Sequence, residues 1–176
     1  LFICCHPSIQ KVVGFFNSIY SKQTVLITPY YKNSSLDKYI ISDQKLKLSD
    51  YFEIILGVCL AMKYLEENNM FHGNLKPSNI LLDDYKRPIL NDIHMKENYT
   101  KDEILKNEIL INYFAPEILS GGNASIKSDV YAFGLILNQI ITKKMPYSTY
   151  ESKNDIINAI LGNQYEISQE EPCIIQ

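Results

Sequence analysis

The sequence predicts an α+β fold in which helices dominate and β-structure is confined to short hairpins. Three observations lead there. Two short β-prone runs stand near the start, His6–Phe16 after its opening turn and Val25-Leu26-Ile27-Thr28, and their length and composition suit a hairpin. A second pair, Ile80-Leu81-Leu82 and Pro88-Ile89-Leu90, flanks the polar stretch Asp83-Asp84-Tyr85-Lys86-Arg87. Two longer segments, opening at Ser49 and Ser128, carry apolar residues at helical spacing.

The chain has 176 residues, of which 46% are hydrophobic and 21% charged, enough for one domain with a core. A net charge of -3 excludes a strong electrostatic field for nucleic acid or anionic membrane. No apolar run reaches the length of a membrane span. The N-terminus lacks a basic region and a cleavage site, so no signal peptide is read. Because the first residue is Leu, the segment is expected to be cut from a longer chain. Cys4, Cys5, Cys59 and Cys173 show neither metal spacing nor a disulfide framework. They read as reduced cytosolic thiols, with Cys59 buried inside a helix.

In chain order, the first hairpin gives way to a polar break at Lys32-Asn33-Ser34-Ser35 and a short amphipathic turn at Leu36–Ile41. Ser49 is the expected N-cap of a long helix, with Asp50 and Glu53 in its first turn, where the dipole favours anions. Its core stripe is Tyr51, Ile54, Ile55, Val58, Ala61, Met62 and Leu65, and Asn68-Asn69 supplies a left-handed stop. The second hairpin follows. Residues 95–113 read as polar and unpatterned, with Tyr99, Thr100 and Tyr113 as hydroxyl candidates. The helix from Ser128 is apolar on nearly every side, as a buried central helix is. Lys143 and Lys144 suit its end, Pro146 stops it, and a last short helix covers Asp155–Leu161 before Gly162.

The stretch His72-Gly73-Asn74-Leu75-Lys76-Pro77-Ser78-Asn79-Ile80-Leu81-Leu82 resembles the catalytic loop of eukaryotic protein kinases, H-R-D-L-K-P-x-N before an apolar strand. Gly73 stands where that family has Arg, and Asn74 where it has the catalytic Asp. Further matches follow in the family's order. Asn91-Asp92-Ile93-His94 falls at D-F-G, Ala115-Pro116-Glu117 at A-P-E, and Ser128–Gly134 at S-D-V-[YW]-x-[FL]-G. Upstream, His6-Pro7 to Gly14 resembles the start of the fourth small-lobe strand, and Val25–Thr28 the fifth. Tyrosine-kinase-like Ser/Thr kinases are nearest, because Lys76-Pro77 is the Ser/Thr form of the loop.

The resemblance implies a protein-kinase-like fold. Residues 1–32 would be a small-lobe remnant holding the fourth and fifth strands and the hinge. Residues 33–176 would be the large lobe without its last helices. It also implies ATP with Mg2+. Thr28 would be the gatekeeper, Pro29 and Tyr31 would offer a C=O and an N–H to adenine, and Leu81 would pack beneath the base. Pro29 lacks an N–H but keeps the carbonyl this role needs. Asn79 and Asp92 would bind the metal through oxygen, and Lys76 would neutralise the transferring phosphate. Asp129 would hydrogen-bond the catalytic loop, and Glu117 would pair with an Arg beyond this segment. Such a piece is expected to be poorly soluble or partly unfolded alone.

Asn74 is the main obstacle to catalysis, because an amide takes up no proton near neutral pH and general-base help contributes roughly 10²–10⁴ in rate. Gly73 removes the reader of an activation-segment phosphate. His94 removes a flexible glycine, and Leu110 stands in the degraded stretch before A-P-E. The sequence therefore predicts a catalytically impaired pseudokinase of the cytoplasm that takes a protein partner, no nucleic acid and no membrane. Two alternatives stay open: an active Ser/Thr kinase acting on protein hydroxyls, and a fragment without independent function.

Overall fold

The computed structural model describes residues 5–17, 23–41, 46–106 and 111–164. The elements are β1 (Gly14–Asn17), β2 (Thr24–Ile27), α1 (Leu36–Ile41), α2 (Leu48–Glu67), β3 (Ile80–Leu82), β4 (Pro88–Leu90), α3 (Lys101–Lys106), α4 (Pro116–Leu119), α5 (Ile126–Thr142) and α6 (Lys153–Leu161). Single 3-10 turns cover Pro77–Asn79 and Ile111–Tyr113. The expected position Leu110 lies outside the described residues.

Both expected hairpins form, as two separate antiparallel sheets. β1 and β2 pair from Gly14↔Ile27 to Asn17↔Thr24, and β3 and β4 from Ile80↔Leu90 to Leu82↔Pro88. The second is part of the core. The backbone of residues 8–10 runs beside β4, where Leu90 N–H donates to the Ser8 carbonyl and Gln10 N–H to the Leu90 carbonyl, each at 2.8 Å. Across the other edge, Leu82 N–H donates to the Ser34 carbonyl at 2.9 Å.

α2 starts two residues earlier than the expected cap implies. Lys47, not Ser49, is the N-cap, and Asp50 reaches back to accept the Lys47 N–H at 2.9 Å. A carboxylate at the third helical position can satisfy that donor whatever residue precedes it. Asn69 adopts the left-handed conformation expected at the stop, with φ 55°. Tyr51, Ile54, Val58, Ala61, Met62 and Leu65 are buried, while Ile55 is half-buried. Cys59 is exposed, against expectation. It follows buried Val58 by one residue, and one helical step turns a side chain about 100° to the far face. α2 lies tightly on β4, because a Cβ at Gly57 would come within 2.4 Å of Pro88 Cγ.

α5 also begins earlier, at Ile126 with Ser125 as cap. Its buried face is Ser128, Asp129, Ala132, Ile136, Gln139 and Ile140. Val130 on the other side is 57% exposed, so the helix is buried on one face rather than all round. Residues 95–113 are not featureless. Thr100-Lys101-Asp102-Glu103 is a capping box, in which Glu103 accepts the Thr100 N–H at 2.9 Å and Thr100 Oγ1 accepts the Glu103 N–H at 3.3 Å. It starts the short helix α3. α6 opens at Ser152, whose hydroxyl accepts from Asp155 N–H at 3.2 Å. One apolar cluster joins α1, α2, β3, β4 and the buried face of α5.

Candidate functional site

The site is built where α2 hands the chain to the loop and α5 meets it from below. His72 is fully buried, and its Nδ1 accepts the Asn74 N–H at 3.2 Å. Burial drives its pKa down to about 4, against the opposing pull of Asp92, so the ring is neutral at pH 7. Asp129 rises from the first turn of α5. Its two oxygens accept the main-chain N–H groups of His72 at 2.5 Å and Gly73 at 3.0 Å. Burial pushes the Asp129 carboxyl up to about 6, and those two N–H groups act in the opposite direction. The loop bond expected of Asp129 is therefore present. Glu117 accepts from the Ser128 hydroxyl at 2.8 Å.

Gly73 has φ +72°, and a Cβ there would sit 3.1 Å from the Phe71 ring and 3.3 Å from the backbone nitrogens of Met95 and Lys96. The loop is thus left-handed at this point and pressed against the following segment, a conformation glycine adopts without steric cost. The Gly73 carbonyl accepts from the Tyr99 hydroxyl at 2.6 Å. Tyr99 therefore ties the segment to the loop, while Thr100 caps α3.

Asn74 is 4% exposed. Its Nδ2 donates to Asp92 Oδ2 at 2.8 Å, and its Oδ1 is buried with no partner among the described residues. Asn79 Nδ2 donates to the Asn74 carbonyl at 2.8 Å, and Asn91 N–H donates to the Asn79 carbonyl at 2.9 Å. Asp92 has φ 61°, and its other oxygen lies 3.0 Å from His94 Nε2. His94 N–H donates to the His72 carbonyl at 2.9 Å, while Ile93 packs against the core.

The fold thus brings Asn74, Asn79 and Asp92 together. Thr28 and Asp92 both line a cavity of about 330 Å³ with Leu26, Met70, Leu90 and Ile93. Pro29 is exposed, Tyr31 half-buried, and neither lines this cavity. Leu81 pairs with Ile89 and bridges to Ser35. Lys76 is half-buried at the 3-10 turn, where its carbonyl accepts from Asn79 N–H at 2.9 Å. Among the described residues no three His, Cys, Asp or Glu side chains form a metal cluster, so a cation here must draw on amide oxygens as well. Sequence reasoning missed the contact of His94 with Asp92. Its one signal was the pairing of a carboxylate and an imidazole two residues apart.

Residues 2–176 match the family described as protein tyrosine and serine/threonine kinase. The chain belongs to this kinase family. Its kinase relatives include cysteine-rich receptor-like protein kinase 41 of Arabidopsis thaliana, 31% identical over 79% of this chain and 22% of that protein. The G-type lectin S-receptor-like serine/threonine-protein kinase SRK of Arabidopsis thaliana is 33% identical over 84% of this chain and 18% of its own length. Cysteine-rich receptor-like protein kinase 6 of Oryza sativa subsp. japonica is 32% identical over 86% and 23%. The chain thus spans less than a quarter of the length of these kinases. No helix among the described residues is long and apolar enough to cross a membrane.

Proposed function

We propose that this kinase domain acts in phospho-signalling as a catalytically impaired, partner-binding module. In this reading residues 1–32 are the small-lobe portion and 33–176 the large-lobe portion, and the domain works in the cytoplasm on or with another protein. ATP with Mg2+ is the proposed ligand, with Thr28, Pro29, Tyr31 and Leu81 around the base, Lys76 on the phosphates, and Asn79 and Asp92 on the metal.

One observation carries the reading. Asn74, at the base position, turns its amide N–H onto Asp92 at 2.8 Å. The amide oxygen that remains is buried and takes up no proton near neutral pH, so Asn74 does not serve a substrate hydroxyl as a base. An Asp at 74 would instead set two carboxylates side by side, which is unfavourable unless a cation lies between them. The residues fit a cation of modest charge demand: one carboxylate and the Asn79 amide, beside a buried Asn74 oxygen that has no donor among the described residues. When bound, the metal would neutralise phosphate charge.

The test is thermal-shift binding of ATP, with and without Mg2+, on the longest natural chain containing this segment, beside Asp92→Ala. Stabilisation that needs both Mg2+ and Asp92 is expected, with phosphotransfer near background. Asn74→Asp is expected to lose about 1–3 kcal/mol of stability in metal-free buffer and to regain it with Mg2+. Robust transfer by wild type would overturn the impaired reading in favour of an active Ser/Thr kinase.

A further inference from the structure

We propose that His94 is an additional ligand of the cation site on Asp92, and that its imidazole makes the site prefer first-row transition divalent cations over Mg2+. The inference rests on the reading of Asp92 and Asn79 as metal ligands.

Three features of the site support it. His94 Nε2 already stands 3.0 Å from Asp92 Oδ1. Neighbouring ligand atoms on an octahedral cation, with bonds of about 2.1 Å, are separated by roughly 3.0 Å. A cation can therefore enter between the two by turning the ring rather than moving the backbone. The backbone is held in place. Asp92 and Met95 both have positive φ, 61° and 49°, and His94 N–H is bonded to the His72 carbonyl at 2.9 Å. This turn places side chains two residues apart on one spot. Finally, the buried Asn74 Oδ1 has no donor among the described residues, although its own amide nitrogen lies on Asp92. A cation-bound water is a donor of the kind that oxygen lacks.

The donor set then decides the cation. Mg2+ is held by hard oxygens and favours carboxylates and phosphates. Among the described residues no further acidic side chain joins Asp92 and His94 in a cluster, the amides of Asn74 and Asn79 are neutral, and the added donor is nitrogen. Imidazole contributes little to Mg2+ binding and strengthens binding of transition ions along the Irving–Williams order.

The experiment uses MnCl2 and MgCl2 alone, without nucleotide, on the longest natural chain containing this segment. Bound Mn2+ is counted by loss of the free-ion paramagnetic resonance signal, Mg2+ by competition, and ligand nitrogen by spin-echo modulation. Wild type is expected to show histidine-nitrogen modulation and to bind Mn2+ about tenfold or more tighter than Mg2+. His94→Ala, checked for an unchanged metal-free melting temperature, is expected to lose the modulation and about tenfold in Mn2+ affinity while Mg2+ affinity changes little. An unchanged Mn2+ to Mg2+ ratio in His94→Ala overturns the inference. Tighter Mn2+ binding in that variant also overturns it, showing His94 to be a competitor for Asp92. Asp92→Ala separates the two levels. If it abolishes cation binding while His94→Ala is silent, only this inference fails. If wild type and Asp92→Ala bind alike, or neither binds, the cation-site reading of the proposed function fails with it.

Discussion

The loop around His72 and the hairpin β1–β2 are both short pieces of chain, yet they are held by opposite means. The loop sits on a buried carboxylate that accepts two main-chain N–H groups, with fully buried His72 and Leu75 at 2% exposure beside it. The hairpin has four residues per strand, and its apolar side chains face solvent, with Phe15 56% and Leu26 52% exposed. A two-stranded hairpin with no buried face has little but its own ladder to stabilise it. The loop is therefore firmly placed, whereas the strands leading to Thr28 and Pro29 contribute little to the described core. Apolar composition alone did not separate them, since both hairpins carry runs of large apolar residues.

Removing the anchor is the strongest way to break this contrast. Asp129→Ala leaves two buried N–H groups unsatisfied, and a loss of about 3 kcal/mol in urea unfolding is expected. A loss under about 0.5 kcal/mol would show that the loop does not depend on α5.

The next largest effect is in the pH dependence. The folded pKa of His72, about 4, lies below its ordinary 6.5. The unfolded chain binds that proton first, so stability from this group is present above pH 6.5 and is lost as pH falls toward 4. Asp129 is raised to about 6 from 3.8, so the folded state binds its proton first and gains stability as pH falls through the same window. From pH 7 to pH 5 the two largely offset one another. In Asp129→Asn the His72 loss stands uncompensated, and a drop of roughly 2 kcal/mol between those pH values is expected from urea midpoints. The same slope in wild type and variant would remove Asp129 from the account.

A smaller effect is expected at Gly73. Gly73→Ala adds a Cβ at φ +72° within 3.3 Å of two backbone nitrogens, with an expected loss of about 1–2 kcal/mol. Gly73→Arg should lose as much and restore no phosphate response, because the following segment already presses on this position. The smallest effect belongs to the hairpin. Val25→Thr and Leu26→Thr should each change stability by less than about 0.5 kcal/mol, and a loss above 1 kcal/mol would show that the hairpin is part of the cooperative core.

Much of this was legible in the chain. The order of the loop, Asp92, Ala115-Pro116-Glu117 and Ser128-Asp129 gave the kinase family, short apolar runs around polar turns placed both hairpins, and the period-3.6 pattern placed both long helices. The errors were local. The Thr100–Glu103 capping box was present in the sequence but overlooked within a charged stretch. Cys59 was placed inside because it lies in an apolar run, where only the helical phase distinguishes the two faces.

Local sequence was enough for which segments are helix, hairpin or loop, and for an amide rather than a carboxylate at position 74, because these depend on residue identity and spacing along the chain. It could not show that the Asn74 amide turns onto Asp92, that His94 meets the same carboxylate, or that Asp129 holds His72 and Gly73 across 57 and 56 residues. Those contacts depend on backbone turns of positive φ at Gly73 and Asp92 and on the docking of α5 beneath the loop. Packing of distant segments imposes that geometry, and no short-range pattern encodes it.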